Sequence, residues 1–380
     1  MSYDIEVWSV DRPDLAACLP TSAQWVEHGG AWVLERRGWQ IVCGPPDAVL
    51  PEDVPEEVSV SQPGVSFLTQ LVLEPIGSPA SAYAALLRAA RAVARAGHGV
   101  VLDGQTGELT TPRGVRRFVP ETRPERFAVL DLGWWFLGDR LLTPEGLNGL
   151  LDIFEALLPE AIPRRYGLFE PPQFQLAQEG REHLAAFLLE HLDDITVLYP
   201  HRPVLGLGFS CARERFHPRH GFRCNRIDLQ VEAAALTQPG WQEGLRRFWL
   251  RVCDHLDPFY AEVRTLHGYV PMGATFGGDM NTEIHPIRSR FWRGIPRELG
   301  HAVAIGAPYV DLWPQARAAG RPHGDLIVLD AGSWTDGNEL TVDAPEGIRQ
   351  KGTPGYTNQG GGWRIEWVSE YPETWPFGTE

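Results

Sequence analysis

The sequence predicts an α/β protein of the α+β kind, with two units of mainly antiparallel sheet covered by helices. Three observations carry this. Tyr3, Ile5 and Val7 alternate with Asp4 and Glu6, the period of a half-buried strand. Strands, one helix and a closing strand in the opening segment give a split βαβ, ferredoxin-like layer with a helical face. The stretch Pro112–Pro124, carrying Arg113, Arg116, Arg117 and Arg123, separates two independently patterned segments. It divides the chain into a small unit, 1–120, and a larger one, 125–380.

In the first unit, a weakly specified helix is expected around Asp14–Val26. Trp32–Glu35 and Trp39–Val42 flank Arg36-Arg37-Gly38 as a hairpin whose glycine supplies the turn. Pro45–Pro63, with five prolines and many acids, reads as an irregular exposed connection, and Val65–Leu73 as a third extended run. Ser78-Pro79 opens a helix, serine as N-cap and proline in the first turn, with Tyr83, Leu86, Leu87, Ala90 and Ala94 inward and Gly97 as its stop. Gly99–Asp103 returns as a strand.

The second unit begins with the strand Phe127-Ala-Val-Leu-Asp-Leu. Thr143-Pro144-Glu145 caps a helix whose Leu147, Leu150, Leu151, Phe154, Leu157 and Leu158 follow the 3.6-residue period. Glu182–Leu192 is a further helix, Leu205–Cys211 and Ile227–Ala235 are strands, and Thr237 and Pro239 introduce a long helix that Pro258 ends. Phe259–Arg264 then runs extended, followed by strands at Asp325–Leu329 and Trp363–Val368.

The formal charge is −15, and every basic residue except Lys351 and the histidines is arginine. That balance argues against nucleic acid or an anionic membrane as partner and allows steering of a basic one. The cysteines, Cys18, Cys43, Cys211, Cys224 and Cys253, are odd in number and widely spread, which fits reduced thiols and a cytoplasmic location. No apolar run reaches membrane-spanning length, and the first residues lack the basic and apolar regions of a signal peptide.

Motifs with a reaction attached are missing. The glycine-bearing loops Gly104–Gly114 and Gly360–Gly362 have neither a P-loop lysine nor dinucleotide spacing, so no cofactor is expected. Cys211, His217, His220 and Cys224 form a metal-like cluster with non-standard spacing, for which the plainer reading is a long hairpin with both histidines in its loop and no metal bound. The same loop holds Arg213, Arg215, Arg219, Arg223 and Arg226 against one acid, Glu214. This basic patch could grip a phosphate or an acidic partner, and its plainer reading is a solvated loop face. Glu283 with His285, and Asp254 with His255, place a carboxylate near an imidazole, yet catalysis needs convergence in space.

Phe291–Pro314 is the most informative segment. It sets Trp292, Tyr309 and Trp313 among Pro296, Pro308, Pro314 and three glycines. Its pattern Trp-Arg-Gly-Ile-Pro, then Leu-Gly, then a closing Tyr and Leu, resembles the C-terminal segment of bacterial immunity proteins of polymorphic-toxin and type VI secretion systems. Pro258-Phe-Tyr-Ala-Glu-Val is similar to the run that leads into a sheet in those families, and the resemblance spans mainly residues 255–335. It implies a cytoplasmic, non-enzymatic protein that neutralises a cognate toxin effector by binding, with no catalytic residue to carry over. Trp292, Arg293, Tyr309 and Trp313 are then the expected partner-binding residues, since restrained backbone and Trp, Tyr and Arg side chains characterise binding hot spots. The alternative is a hydrolase or metal-dependent enzyme whose residues, nominally His217, His220, His285 and Glu283, converge only in the fold.

Overall fold

The computed structural model describes the 380-residue chain except for residues 1–2, 21–22, 76, 104–105, 107, 113, 118–125, 169–171, 195, 212–213, 218–220, 273–274, 279–282, 284, 286–290, 353–354, 360–361, 367–369 and 378–380. It divides into two compact units, Met1–Pro124 with Pro271–Ala274, and Glu125–Val270 with Thr275–Glu380.

The first unit is one antiparallel sheet. Its main strands are β1 (Tyr3–Ser9), β2 (Val26–His28), β3 (Ala31–Arg36), β4 (Trp39–Cys43), β5 (Phe67–Glu74), β6 (Val100–Asp103), β7 (Glu108–Thr111) and β8 (Gly114–Arg117), and the short stretch Asp47–Ala48 also pairs with β5. Their order is β2-β3-β4-β5-β1-β6-β7-β8, with β1 and β5 in register from Tyr3↔Leu73 to Ser9↔Phe67. Helix α1 (Ala80–Ala96) packs on one face, over Ile5, Val7, Ile41, Leu71 and Leu73, through Ala82, Leu86, Ala90 and Val93. The arrangement is consistent with a ferredoxin-like layer.

Three local readings change. The helix expected around Asp14–Val26 shrinks to the single turn Leu15–Cys18, because Pro20 follows at once and its carbonyl turns the chain towards β2. Ser78 does not cap α1, since its hydroxyl donates backwards to the Pro75 carbonyl at 2.7 Å. Pro45–Pro63 is not simply an exposed connection: Val49 and Val58 are buried with Trp8, Leu68 and Val100 on the sheet's second face, and Glu56–Ser61 is helical. An apolar sheet face left open would expose Trp8 and Leu68 to water, and this proline-rich segment carries the valines that cover it.

The second unit is built on a larger antiparallel sheet. Its main strands are β9 (Phe127–Phe136), β10 (Val204–Ser210), β11 (Asn225–Glu232), β12 (Tyr260–Met272), β13 (Ala302–Ile305), β14 (Arg321–His323) and β15 (Leu326–Asp330), in the order β10-β11-β9-β12-β13-β15-β14, with Thr275–Gly278 pairing β12 off this path. The central strand β9 is buried on both sides. Leu130, Leu132, Trp134 and Phe136 point to one core, and Trp135 to another. Gly133 lies under the Trp135 indole, where a Cβ would come within 2.5 Å of the ring.

The first of these cores is roofed by helices α2 (Pro144–Leu157), α3 (Leu176–Glu190) and α4 (Trp241–Leu256). Thr143 caps α2 by accepting the Gly146 N–H at 3.1 Å, with Pro144 in the first turn. Leu147, Leu150, Leu151 and Phe154 are fully buried; each contributes about 1.5–3 kcal/mol of burial free energy. The expected start of α3 at Glu182 corresponds to a break, because Gly180 sits at φ +81° and separates the first turn from the rest. Helix α4 ends where Pro258 predicts, with Asp257 in the left-handed region as its C-cap. No helix of the described residues is long and apolar enough to cross a membrane.

Candidate functional site

The second core lies on the opposite face of the sheet, where only the short helices Tyr309–Leu312 and Pro314–Ala319 pack among the described residues. Trp135, Tyr260, Val303 and Ile305 leave an apolar floor there, and the Phe291–Pro314 segment covers it with its own rings. Trp292 is the centre. Its ring lies 4.9 Å from Phe259, 5.0 Å from Tyr260 and 5.7 Å from Trp135, centroid to centroid. Its indole N–H donates to the Tyr309 hydroxyl at 2.7 Å, and that of Trp313 donates to the Asp343 carbonyl at 3.0 Å. Burial pushes the Tyr309 phenol far above its ordinary range, so it stays protonated.

Trp292, Tyr309 and Trp313 each have no exposed surface, which corrects the expectation that these rings face a partner. The reason is packing. Three glycines and three prolines deny this segment a continuous helix, so the large side chains it carries must fill the space over the sheet. Arg293 differs from them: it is half-buried, and its guanidinium stands 4.5 Å over the Tyr371 ring.

Beneath this segment lies a buried ionic network. Glu262 on β12 is fully buried. One carboxylate oxygen accepts from Arg264 Nη2 at 3.0 Å and from the Gly300 N–H at 2.5 Å, and the other lies 3.1 Å from His285 Nε2. Burial alone would raise its pKa, but Arg264, His285 and the Gly300 amide together outweigh that and hold it at about 2. Arg264 also donates to the Glu298 carbonyl, and its pKa stands above the ordinary value because Glu262 overcomes the opposing effect of burial. His285 lies 5.4 Å from the Trp135 ring. The signal in the sequence is Tyr260-Ala-Glu-Val-Arg, where Glu262 and Arg264 share one face of a strand inside an apolar run.

Arg264 also lines an open cleft of about 420 Å³, whose walls carry Glu283, Glu298, Glu339 and Asp343 beside His267 and Arg297. The acids outnumber the bases, and Arg264 is already committed to Glu262. The cleft can receive a positively charged group, with Leu299 and Val342 as its apolar lining.

Of the residues named for an enzyme, the described ones, His285 and Glu283, are each engaged elsewhere. His285 turns to Glu262, while Glu283 accepts the His267 backbone N–H at 2.9 Å. His255 Nε2 lies 2.7 Å from the Gly146 carbonyl, and burial lowers its pKa, whereas Asp254 pairs with His323 at 2.8 Å. Cys211 belongs to the helix-roofed core and Cys224 to the second core, on opposite faces of the sheet. Both are buried, and burial raises the Cys224 thiol to about 12. The backbone of Phe216–His217 pairs with Gly221–Phe222; the His217 side chain and His220 lie outside the described residues. The arginines of this loop are tied down locally. Arg215 pairs with Asp139 at 3.0 Å, Arg223 with Asp193 at 2.6 Å and Arg226 with Asp228 at 2.8 Å, while Arg213 and Arg219 are outside the described residues.

Neither a family model nor a curated protein matches the chain. Among solved structures it is similar to the Pseudomonas aeruginosa T6SS protein PA0821, with 13% identity and a TM-score of 0.37, over 66% of this chain and 82% of that one. At that distance the function has to be argued from the chain's own residues.

Proposed function

We propose that this chain is a non-enzymatic, cytoplasmic binding protein that neutralises a cognate bacterial toxin effector by occlusion, an immunity protein of the polymorphic-toxin and type VI secretion kind. One observation carries the reading. The segment bearing the sequence resemblance is anchored by Trp292, Tyr309 and Trp313, all fully buried, and so holds its outward residues in fixed positions beside the acidic cleft. A surface already ordered in the free protein loses little conformational freedom when it associates. The partner contact is then made by Arg293, Arg297 and Glu298, with the three rings acting as anchors beneath them. The net charge of −15 favours encounter with a basic effector surface.

The test is co-expression in a heterologous bacterium with the effector encoded beside the gene. The expected result is restored growth and a stable complex on purification, both lost on combined charge reversal, Arg293→Glu with Glu298→Arg, in a chain that unfolds at the wild-type temperature. Growth restored without any complex would overturn occlusion. Failure of the chain to protect against that effector would overturn the immunity reading.

A further inference from the structure

Away from the cleft, a pocket of about 550 Å³ opens within the second unit between α4 and the sheet edge formed by β14 and β15. Its composition runs against the acidity of the chain. Glu243, Arg246, Arg247 and Leu250 follow one another at helical spacing, so α4 presents them on one face. Opposite them, Arg321 pairs in register with Val328, which places both side chains, and Asp330 two residues on, on the same face of the sheet.

The ionic pairing inside this pocket is uneven. Arg246 is held at the floor: its Nε donates to Asp330 at 2.8 Å, Nη1 to Glu243 at 3.0 Å and Nη2 to the Gly332 carbonyl at 2.8 Å, and the guanidinium lies 5.3 Å over the Trp334 ring. Those contacts use both carboxylates of the pocket. Arg321 reaches Asp330 only at 3.8 Å with its side chain largely exposed, and Arg247 has no ion pair or hydrogen bond among the described residues. Two arginines without a close ion pair therefore line one opening from opposite walls, with Arg246 held by its own partners between them and Leu250 as an apolar wall.

We infer that this pocket binds an oxyanion, a phosphate or carboxylate group carried on a small apolar body, between Arg247 and Arg321. Guanidinium is the side chain whose planar fork matches either anion in bidentate geometry. The volume falls in the range of small-molecule sites and exceeds what a bare anion fills, so Leu250 and Ala319 would contact the remainder of the ligand. The role of Arg246 is positional: locked by Glu243 and Asp330, it keeps both carboxylates from folding over the opening and repelling the anion.

The experiment is calorimetric titration of the full-length chain with phenyl phosphate, inorganic phosphate and benzoate at low ionic strength. Saturable binding of phenyl phosphate, tighter than that of inorganic phosphate, is the expected result. Arg247→Gln or Arg321→Gln should each weaken it roughly tenfold, the effect of losing one charge-assisted hydrogen bond. Arg88→Gln, on a helix of the first unit, is the charge control and should bind as wild type. Equal affinity for inorganic phosphate assigns the site to the free anion, and preference for benzoate assigns it to a carboxylate; either outcome keeps the oxyanion site. The inference is overturned if none of the three saturates, or if both arginine variants bind as tightly as wild type while retaining the wild-type unfolding temperature.

Discussion

Trp292 donates its indole N–H to the Tyr309 hydroxyl across 2.7 Å, and neither side chain has any exposed surface. The bond pins the start of the Phe291–Pro314 segment to its later turn. Tyr309→Phe leaves the ring in place but removes the acceptor, stranding a buried donor. The expected cost is about 1–3 kcal/mol in urea denaturation, with protection against the effector retained. Unchanged stability would show that the bond contributes nothing. Lost protection at wild-type stability would make the phenol a contact residue instead of an anchor.

On the other side of the sheet, Leu151 sits at the centre of the α2 stripe with no exposed surface. Leu151→Ala should destabilise the second unit by roughly 2–5 kcal/mol. Thr143→Ala, which removes only the N-cap, should cost about 1 kcal/mol. Denaturation that ranked the two variants the other way would contradict the packing of α2.

Glu262 makes stability depend on acid. Burial opposes its charge, but Arg264, His285 and the Gly300 amide hold its pKa at about 2, below the ordinary carboxyl value of 4.5. A depressed folded pKa means that the unfolded chain takes up the proton first. The stabilisation is therefore complete above the unfolded pKa and is lost as pH falls from about 4.5 towards about 2. Glu262→Gln should be less stable at neutral pH, and its urea midpoint should fall less steeply across that window. Parallel slopes for wild type and variant would show that other carboxylates dominate acid unfolding.

The thiols differ in reach. Burial raises Cys43 and Cys224 to about 12 and Cys253 further still, whereas Cys18 is half-buried and raised less. Brief alkylation of the native protein at mildly alkaline pH should label Cys18 first, with Cys43, Cys211, Cys224 and Cys253 appearing on denaturation. Native labelling of Cys224 as fast as Cys18 would mean that the second core opens readily.

The α+β class and most element positions are legible because local signals and tertiary packing agree. Thr143-Pro144 caps α2, Pro258 stops α4, and the two-residue turn Arg37-Gly38 joins β3 to β4 with Gly38 at φ +88°. The inward turn of Trp292, Tyr309 and Trp313 is not legible. A ring flanked by proline and glycine carries no periodicity, so nothing local says which way it points; the bare sheet face decides, and that face is assembled from strands distant in sequence. Glu262 is hidden for the same reason. Arg264 is two residues away, but Gly300 and His285 reach it only once β12 and the following segment are folded. Val49 and Val58, set in a proline-rich acidic stretch, look solvated until Trp8 and Leu68 need a cover.

Strand β9 carries a consequence in its two adjacent tryptophans. A one-residue slip normally betrays itself by sending apolar side chains into water and polar ones into the core. Between Trp134 and Phe136 that penalty is weak, since both faces are apolar and a ring would land on either side. What forbids the slip is shape and polarity at the neighbouring positions. Gly133 leaves the hollow into which the Trp135 indole lies, and Asp131 on the same strand accepts from Gln230 of β11 at 3.2 Å. Alignment of the central sheet thus rests on a missing methyl group and a pair of polar side chains, so Gly133→Ala endangers the pairing of strands more than it disturbs the filling of either core.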